Sequence, residues 1–201
     1  MNKTPWWASE EFWKKTAIFI TSMMFVILIF LTFQTHTQIQ AGTKRVLDYD
    51  VINQRIYYRF DRARSCYVPV IGDKAPLFGK LLSKEEARRQ VSYGKKVFQS
   101  RNCINCHTIL GNGAYYAPDL TKAWLDPAWA SEQAREYLIL KFMLEPDRFA
   151  RTYGSGRRMP NLHLSEEEAR AVIAYLKWVS AIDTNGFPHN FQALNQTEET
   201  S

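Results

Sequence analysis

The hydrophobic positions of this chain fall into three patterns. The first is an unbroken run from Thr16 to Phe33 (TAIFITSMMFVILIFLTF) that holds no charged residue. Wound as a helix, these 18 residues span roughly 27 Å, close to the about 30 Å of a bilayer's hydrocarbon core. Trp6, Trp7, Phe12 and Trp13 precede the run, interleaved with Lys3, Lys14 and Lys15, a composition suited to the headgroup belt. The run is long for a secretory leader, and no small-x-small cleavage pattern follows it. It therefore reads as an uncleaved anchor, in preference to a signal peptide or a buried soluble helix. Three lysines stand before the span, whereas Lys44 and Arg45 follow at a distance, which favours an N-terminus inside.

The second pattern is amphipathic at the helical period. Ser83-Lys-Glu-Glu86 is a capping box, and Ala87, Val91, Gly94 and Phe98 then form one apolar stripe. A glycine inside such a stripe costs about 1 kcal/mol against alanine, so Gly94 predicts a backbone or a ring passing close by. Ser165-Glu-Glu-Glu168 is a second capping box, followed by Ala169, Val172, Ile173, Leu176 and Val179 with Tyr175 and Trp178 beside them. A ring of this last helix over Gly94 would account for the glycine, so the two helices are expected to cross. Between them, Ser131 opens a helix to about Leu144, which Glu145-Pro146 stops.

The third pattern, over residues 34–82, is mixed. Residues 34–43 read as a polar stalk, and Val46 to Phe60 fits helix or strand. Tyr67 to Ile71 reads as a short strand, with a turn at Gly72 to Pro76. The chain thus divides into a cytoplasmic N-terminus at 1–15, a transmembrane anchor at 16–33, a periplasmic linker or extension at 34–82, a helical domain at 83–184 and a loose polar tail at 185–201. The fold class is mainly α. With the span set aside, about one compact domain remains. Lys and Arg exceed Asp and Glu by 26 to 20, a net charge of +6. The excess is spread out, with no polybasic run and no nucleic-acid motif, so it marks a general bias towards anionic partners or membrane surfaces.

Chemistry concentrates at Cys103-Ile-Asn-Cys106-His107, the C-x-x-C-H attachment signature of a c-type haem. Two thiols at i and i+3 share one face of a helical turn, where they can form thioethers with the two vinyl groups of one porphyrin. The adjoining His107 can then reach the iron as proximal ligand. A dithiol redox pair would want a βαβ context, which is not found, and a zinc site would need two further ligands at finger-like spacing. The remaining cysteine is Cys66, read as a half-buried thiol with a cross-link or redox role as the alternative. After His107, Gly111 and Gly113 permit a tight loop with positive φ. Pro118 can offer its carbonyl to the proximal imidazole, or simply stiffen the loop. For the opposite face of the iron the candidates are Met143, Met159, His163 and His189. Met159 leads, because it sits in the Gly/Pro loop Gly154 to Pro160 just before the last helix. His163 is its main rival, and Met143 reads as core. Thioether ligation would raise the iron potential and close the sixth position, favouring electron transfer over ligand chemistry. Arg157 and Arg158 are candidates for the haem propionates or for solvated loop arginines.

These pieces together resemble the membrane-anchored cytochrome c subunit of bacterial nitric oxide reductase. The resemblance rests on NCINCHTILGNGAYYAPDL from Asn102 to Leu120, and on Arg157-Arg-Met-Pro160 with Leu164 to Glu168, Tyr175-Leu-Lys-Trp178 and Ile182 to Asn185. The single N-terminal span also fits, and the likeness covers the anchor and residues 83–190. It departs at residues 43–82, where the family has a much shorter link. The resemblance implies a class I cytochrome c domain outside the cell membrane, with covalent haem c on Cys103 and Cys106 and iron ligands His107 and Met159. It implies an electron-transfer subunit without an active site of its own. Electrons would pass from a soluble periplasmic donor to a large subunit in which haem b, haem b3 and a non-haem iron reduce two NO to N2O. It also implies backbone contacts from Gly113 and Tyr115 to a calcium ion at the subunit interface, which the partner must complete because two carbonyls are too few. An anchored electron shuttle, a subunit of another haem–copper-type reductase and a haem sensor with an open sixth position are the competing readings.

Overall fold

The computed structural model describes residues 5–43, 45–129, 131–149 and 157–189, and the chain divides after Thr43 into two compact units. Lys3, Lys44, Gly154 to Gly156 and the tail from residue 190 lie outside the described residues.

In the first unit, α1 (Glu10–Ile39) starts where the Ser9 hydroxyl accepts the Phe12 amide at 3.2 Å, with Glu10 and Glu11 in the positive first turn. Its 30 residues would measure about 45 Å, so the helix outruns the apolar run at both ends. The residues expected to begin a stalk are helical as far as Ile39. Thr32 and Thr37 donate back to the Leu28 and Gln34 carbonyls at 2.7 and 2.8 Å, which lets polar side chains continue the helix. By length and composition α1 can cross a membrane, and none of its residues is buried within the chain.

The second unit is mainly helical. Its helices are α2 (Lys84–Ser100), α3 (Glu132–Leu144), the single turn α4 (Pro146–Phe149) and α5 (Glu166–Ser180). Both capping boxes form, with Ser83 and Glu86 exchanging bonds of 3.2 and 2.9 Å and Ser165 and Glu168 bonds of 3.1 and 2.9 Å. Glu168 also takes a bidentate bond from Arg101 at 2.8 and 2.9 Å, tying the end of α2 to the start of α5. The expected crossing lies at Gly94. A β-carbon there would collide with the Ala171 carbonyl oxygen and sit 2.9 Å from Tyr175 Cβ. It is therefore chiefly the α5 backbone that passes Gly94, with the Tyr175 side chain beside it. Phe98 stacks obliquely on the Tyr175 ring at 5.6 Å. Ala87, Val91, Phe98, Ala169, Val172, Ile173, Leu176 and Val179 are all buried, and so is Met143 on α3.

Residues 45–82 settle the ambiguity between helix and strand. After a 3-10 turn at Tyr49–Asn53, β1 (Gln54–Asp61) pairs antiparallel with β2 (Cys66–Lys74). Ile56 and Tyr58 are buried at the strand period of two. The turn expected at Gly72 begins only after Lys74. An irregularity between Gln54 and Ile56 brings Lys74 opposite Gln54 and prolongs β2 through Gly72 and Asp73.

This hairpin is fastened to the helices by polar groups. Asn53 exchanges two bonds with Leu82, at 2.8 and 3.0 Å. The Tyr58 hydroxyl donates to the Ser180 carbonyl, Lys177 Nζ to that of Ala75 at 2.9 Å, and the Trp178 indole to that of Leu47 at 3.0 Å. Tyr49 stacks on Trp178 at 5.1 Å. As a result α5 is buried on almost every side, and Lys177 and Ser180 lie inside although its sequence reads as one-sided. Lys122 is also enclosed. It is 3% exposed, donates to the Ile182 carbonyl at 2.9 Å and lies 4.6 Å from the centre of the Tyr58 ring. Burial pushes its pKa down to about 7, against the opposing pull of Asp183 and Asp119.

This packing makes two predictions. Gly94→Ala should cost about 3 kcal/mol, because the obstructing atoms are helix backbone that cannot turn aside; denaturant unfolding of the holoprotein measures it, and a loss below 1 kcal/mol would contradict the close crossing. Lys122 is neutral in the folded state above about pH 7, but unfolded it stays protonated up to its ordinary value of 10.5. Unfolding therefore takes up a proton in that window, and stability should climb from pH 7 to pH 9 by as much as about 1.4 kcal/mol per pH unit. Lys122→Met should remove that slope, and parallel curves for the two proteins would refute the assignment.

Candidate haem c site

The attachment motif sits directly after α2. Asn102 takes a left-handed conformation (φ 56°), which breaks the helix and turns the chain into a 3-10 turn at Cys103–Asn105. The amides of Cys106 and His107 both bond to the Cys103 carbonyl, at 3.2 and 2.9 Å. This winds the two cysteines and the histidine into one tight coil. All three cysteines of the chain are half-buried, and burial pushes the Cys103 thiol pKa up.

His107 is held from outside the motif. Its Nδ1 lies 2.7 Å from the Pro118 carbonyl oxygen, a bond the nitrogen makes as donor. The tautomer with the proton on Nδ1 leaves the Nε2 lone pair for a metal. Burial pushes the imidazole pKa down, opposed by Pro118 and by the charge of Asp119. The neutral, metal-binding form is thereby favoured. Half-buried thiols at i and i+3, followed by an imidazole with its tautomer set, are the donor set that haem c attachment requires.

The segment between His107 and Pro118 folds back on the motif. β3 (Thr108–Ile109) pairs with β4 (Asn112–Gly113) through the two-residue turn Leu110-Gly111, both at positive φ (51° and 78°). Gly113, at φ 123°, lies so close that a β-carbon would collide with the His107 carbonyl and reach Ile104 Cγ1 at 2.9 Å. Amides at 114, 117 and 120 bond back to the carbonyls of Ile104, Cys106 and Thr108 at 3.0, 2.8 and 2.8 Å. Pro118 thus arrives at His107 through a ladder that only glycine at 113 allows.

Sequence reasoning passed over the clamp behind this loop. Thr121 is fully buried, and its hydroxyl accepts the Leu110 amide at 2.7 Å. Its own amide is held by Asp119 Oδ1 at 2.8 Å, and its carbonyl takes the Ser180 hydroxyl at 3.3 Å. The signal present in the sequence was Asp119-Leu-Thr121, an Asx turn in which an aspartate binds the amide two residues on.

Met159 is half-buried in the stretch before α5. Two residues earlier, Arg157 Nη1 donates to the Tyr116 carbonyl at 2.7 Å, and its guanidinium lies 4.6 Å from the centre of the Tyr116 ring. This brings the methionine stretch against the loop that carries Pro118. Tyr116 is thus one partner of Arg157, while Arg158 is exposed. His163 is exposed at φ 50°, His189 is exposed, and Met143 belongs to the core. Tyr115 is 79% exposed.

Residues 91–180 match the cytochrome c family model, which carries with it covalently bound haem c. The nitric oxide reductase C subunit of Stutzerimonas stutzeri is 35% identical over 114 residues, 56% of this chain and 74% of that protein. The corresponding proteins of Halomonas halodenitrificans and Paracoccus denitrificans are 32% and 33% identical, each covered over 73% of its length and matching 56% and 55% of this chain. With the attachment turn, the Pro118-held histidine and the crossed α2 and α5 in place, the chain belongs to the family of nitric oxide reductase C subunits and carries a cytochrome c domain.

Proposed function

We propose that this chain is the membrane-anchored electron-entry subunit of a cytochrome c-dependent nitric oxide reductase. The observation that carries the reading is the His107–Pro118 contact within a C-x-x-C-H turn, in a chain whose relatives are C subunits of nitric oxide reductases. When bound, haem c supplies a one-electron Fe(III)/Fe(II) couple. Cys103 and Cys106 would hold it covalently, with His107 Nε2 and Met159 Sδ as the ligands to its iron. A closed sixth position suits outer-sphere transfer and discourages capture of small gases. Pro118 keeps the imidazole oriented through Nδ1, which strengthens Nε2 as a donor.

In this reading α1 crosses the cell membrane with the N-terminus inside, and the second unit stands on the periplasmic side. There it receives electrons singly from a soluble donor and delivers them to a large subunit with haem b, haem b3 and non-haem iron, where two NO become N2O. The carbonyls of Gly113 and Tyr115 contribute to a calcium ion whose remaining ligands come from the large subunit. The exposure of Tyr115 supports a contact made outside this chain.

Met159→Ala should leave haem covalently attached but open the sixth position: the reduced protein should bind CO, and NO consumption by the solubilised complex with reduced donor should fall at least about tenfold. An unchanged low-spin spectrum would remove Met159 as ligand. Oxygen uptake without NO consumption by the wild-type complex would assign the chain to another haem–copper-type reductase. Calcium chelation should slow reoxidation of this subunit by the large one, leaving its own spectrum unchanged; unaltered reoxidation would remove the interface ion.

A further inference from the structure

The turn of the β1–β2 hairpin and the place where the chain enters the second unit meet on one residue. Arg64, in that turn, makes a bidentate bond to Asp183 at 2.8 and 3.0 Å and a further bond to Asn185 at 2.9 Å. The amide of the same Asp183 donates to the Arg45 carbonyl at 3.1 Å. Asp183 thus holds the hairpin tip beside Arg45. The turn itself is ordered, because Asp61 Oδ1 accepts the amides of Ala63 and Arg64 at 2.9 and 3.3 Å.

Covalent geometry limits where Arg45 can stand. The helix α1 ends at Ile39, and the chain from there to Arg45 reaches about 21 Å at most. With α1 as the span, a reading on which this inference rests, Arg45 and the tip beside it belong to the zone next to the headgroups. The tip has the composition of a membrane-surface contact. Arg59 and Arg62 are exposed, as is Arg45. Phe60, next to Arg59 in the chain, is 49% exposed and meets Tyr67 edge-on at 5.3 Å. Guanidinium groups bind phosphate oxygens, and a phenyl ring beside them suits the boundary between headgroups and acyl chains. We propose that the hairpin tip docks on the membrane surface, with Arg59 and Arg62 on the phosphates of anionic phospholipids and Phe60 at the acyl boundary. The contact gives the second unit an attachment to the membrane besides its covalent link, and so fixes which of its sides faces the lipid.

The test places the full haem-loaded chain in nanodiscs of phosphatidylcholine, alone or with an equal part of phosphatidylglycerol, and follows amide hydrogen exchange. Exchange at residues 60–65 should slow about fivefold in the discs with phosphatidylglycerol, the factor that one arginine contributes at an anionic surface. High salt should reverse the slowing. Arg59→Gln/Arg62→Gln should abolish it and leave the visible spectrum unchanged. Failure to enter either kind of disc would overturn α1 as the span, and this inference with it. Entry into both with equal exchange at the tip would overturn the tip contact alone, as would undiminished slowing in the double variant. Slowing that requires the large subunit and ignores lipid charge would also overturn it, assigning the tip to a protein contact.

Discussion

The contact between Gly94 and the backbone of Ala171 is the constraint on which the second unit depends. A β-carbon at position 94 would collide with the Ala171 carbonyl oxygen, so any side chain there would force α2 and α5 apart. Their close approach brings Phe98 onto Tyr175 and lets Arg101 reach Glu168, so the end of α2 is fixed in position and direction. The attachment turn starts three residues after α2 ends, at Cys103. The cysteines and His107 therefore inherit their placement from a helix crossing that contains none of them.

A second, more local constraint orders the site itself. Gly113 lets β4 lie against the His107 carbonyl, and amides at 114, 117 and 120 complete the return of the chain to Pro118. The bond from His107 to Pro118 is the end of that sequence of contacts. Thr121 anchors the loop from behind and joins it to Ser180 at the end of α5. The haem-binding loop and the last helix are thus coupled twice, through the Gly94 crossing and through Thr121.

The hairpin at residues 54–74 changes the character of α5. In a smaller helical domain the side of α5 bearing Lys177 and Ser180 would face water. Here Tyr58 and Ala75 meet that side, and the lysine is accommodated by a carbonyl and an indole. The enclosed basic side chains Lys122, Arg135 and Lys177 all lie where the hairpin or its approach covers the helical core. Burial of a charge is costly unless polar groups or a counter-ion compensate it.

The haem motif, the two capped helices, their crossing and the apolar span were legible because each depends on neighbours within a few residues. Cysteine spacing, a Ser-x-x-Glu box, an interrupted stripe and an uncharged run all carry their physical meaning locally. The sequence by itself also brought forward Pro118, in the loop whose glycines return the chain to His107. Only the tertiary structure decided that residues 54–74 form a hairpin, since Ile56 and Tyr58 become inward-facing only when α5 lies beneath them. It alone decided the Thr121 clamp, whose partners at Leu110 and Ser180 lie 11 and 59 residues away. Likewise, Arg55 and Arg135, far apart in the chain, line one cleft only after the hairpin has docked. Long-range pairings of this kind leave no periodic trace in the chain, because their energy comes from surfaces that exist only once the helices have packed.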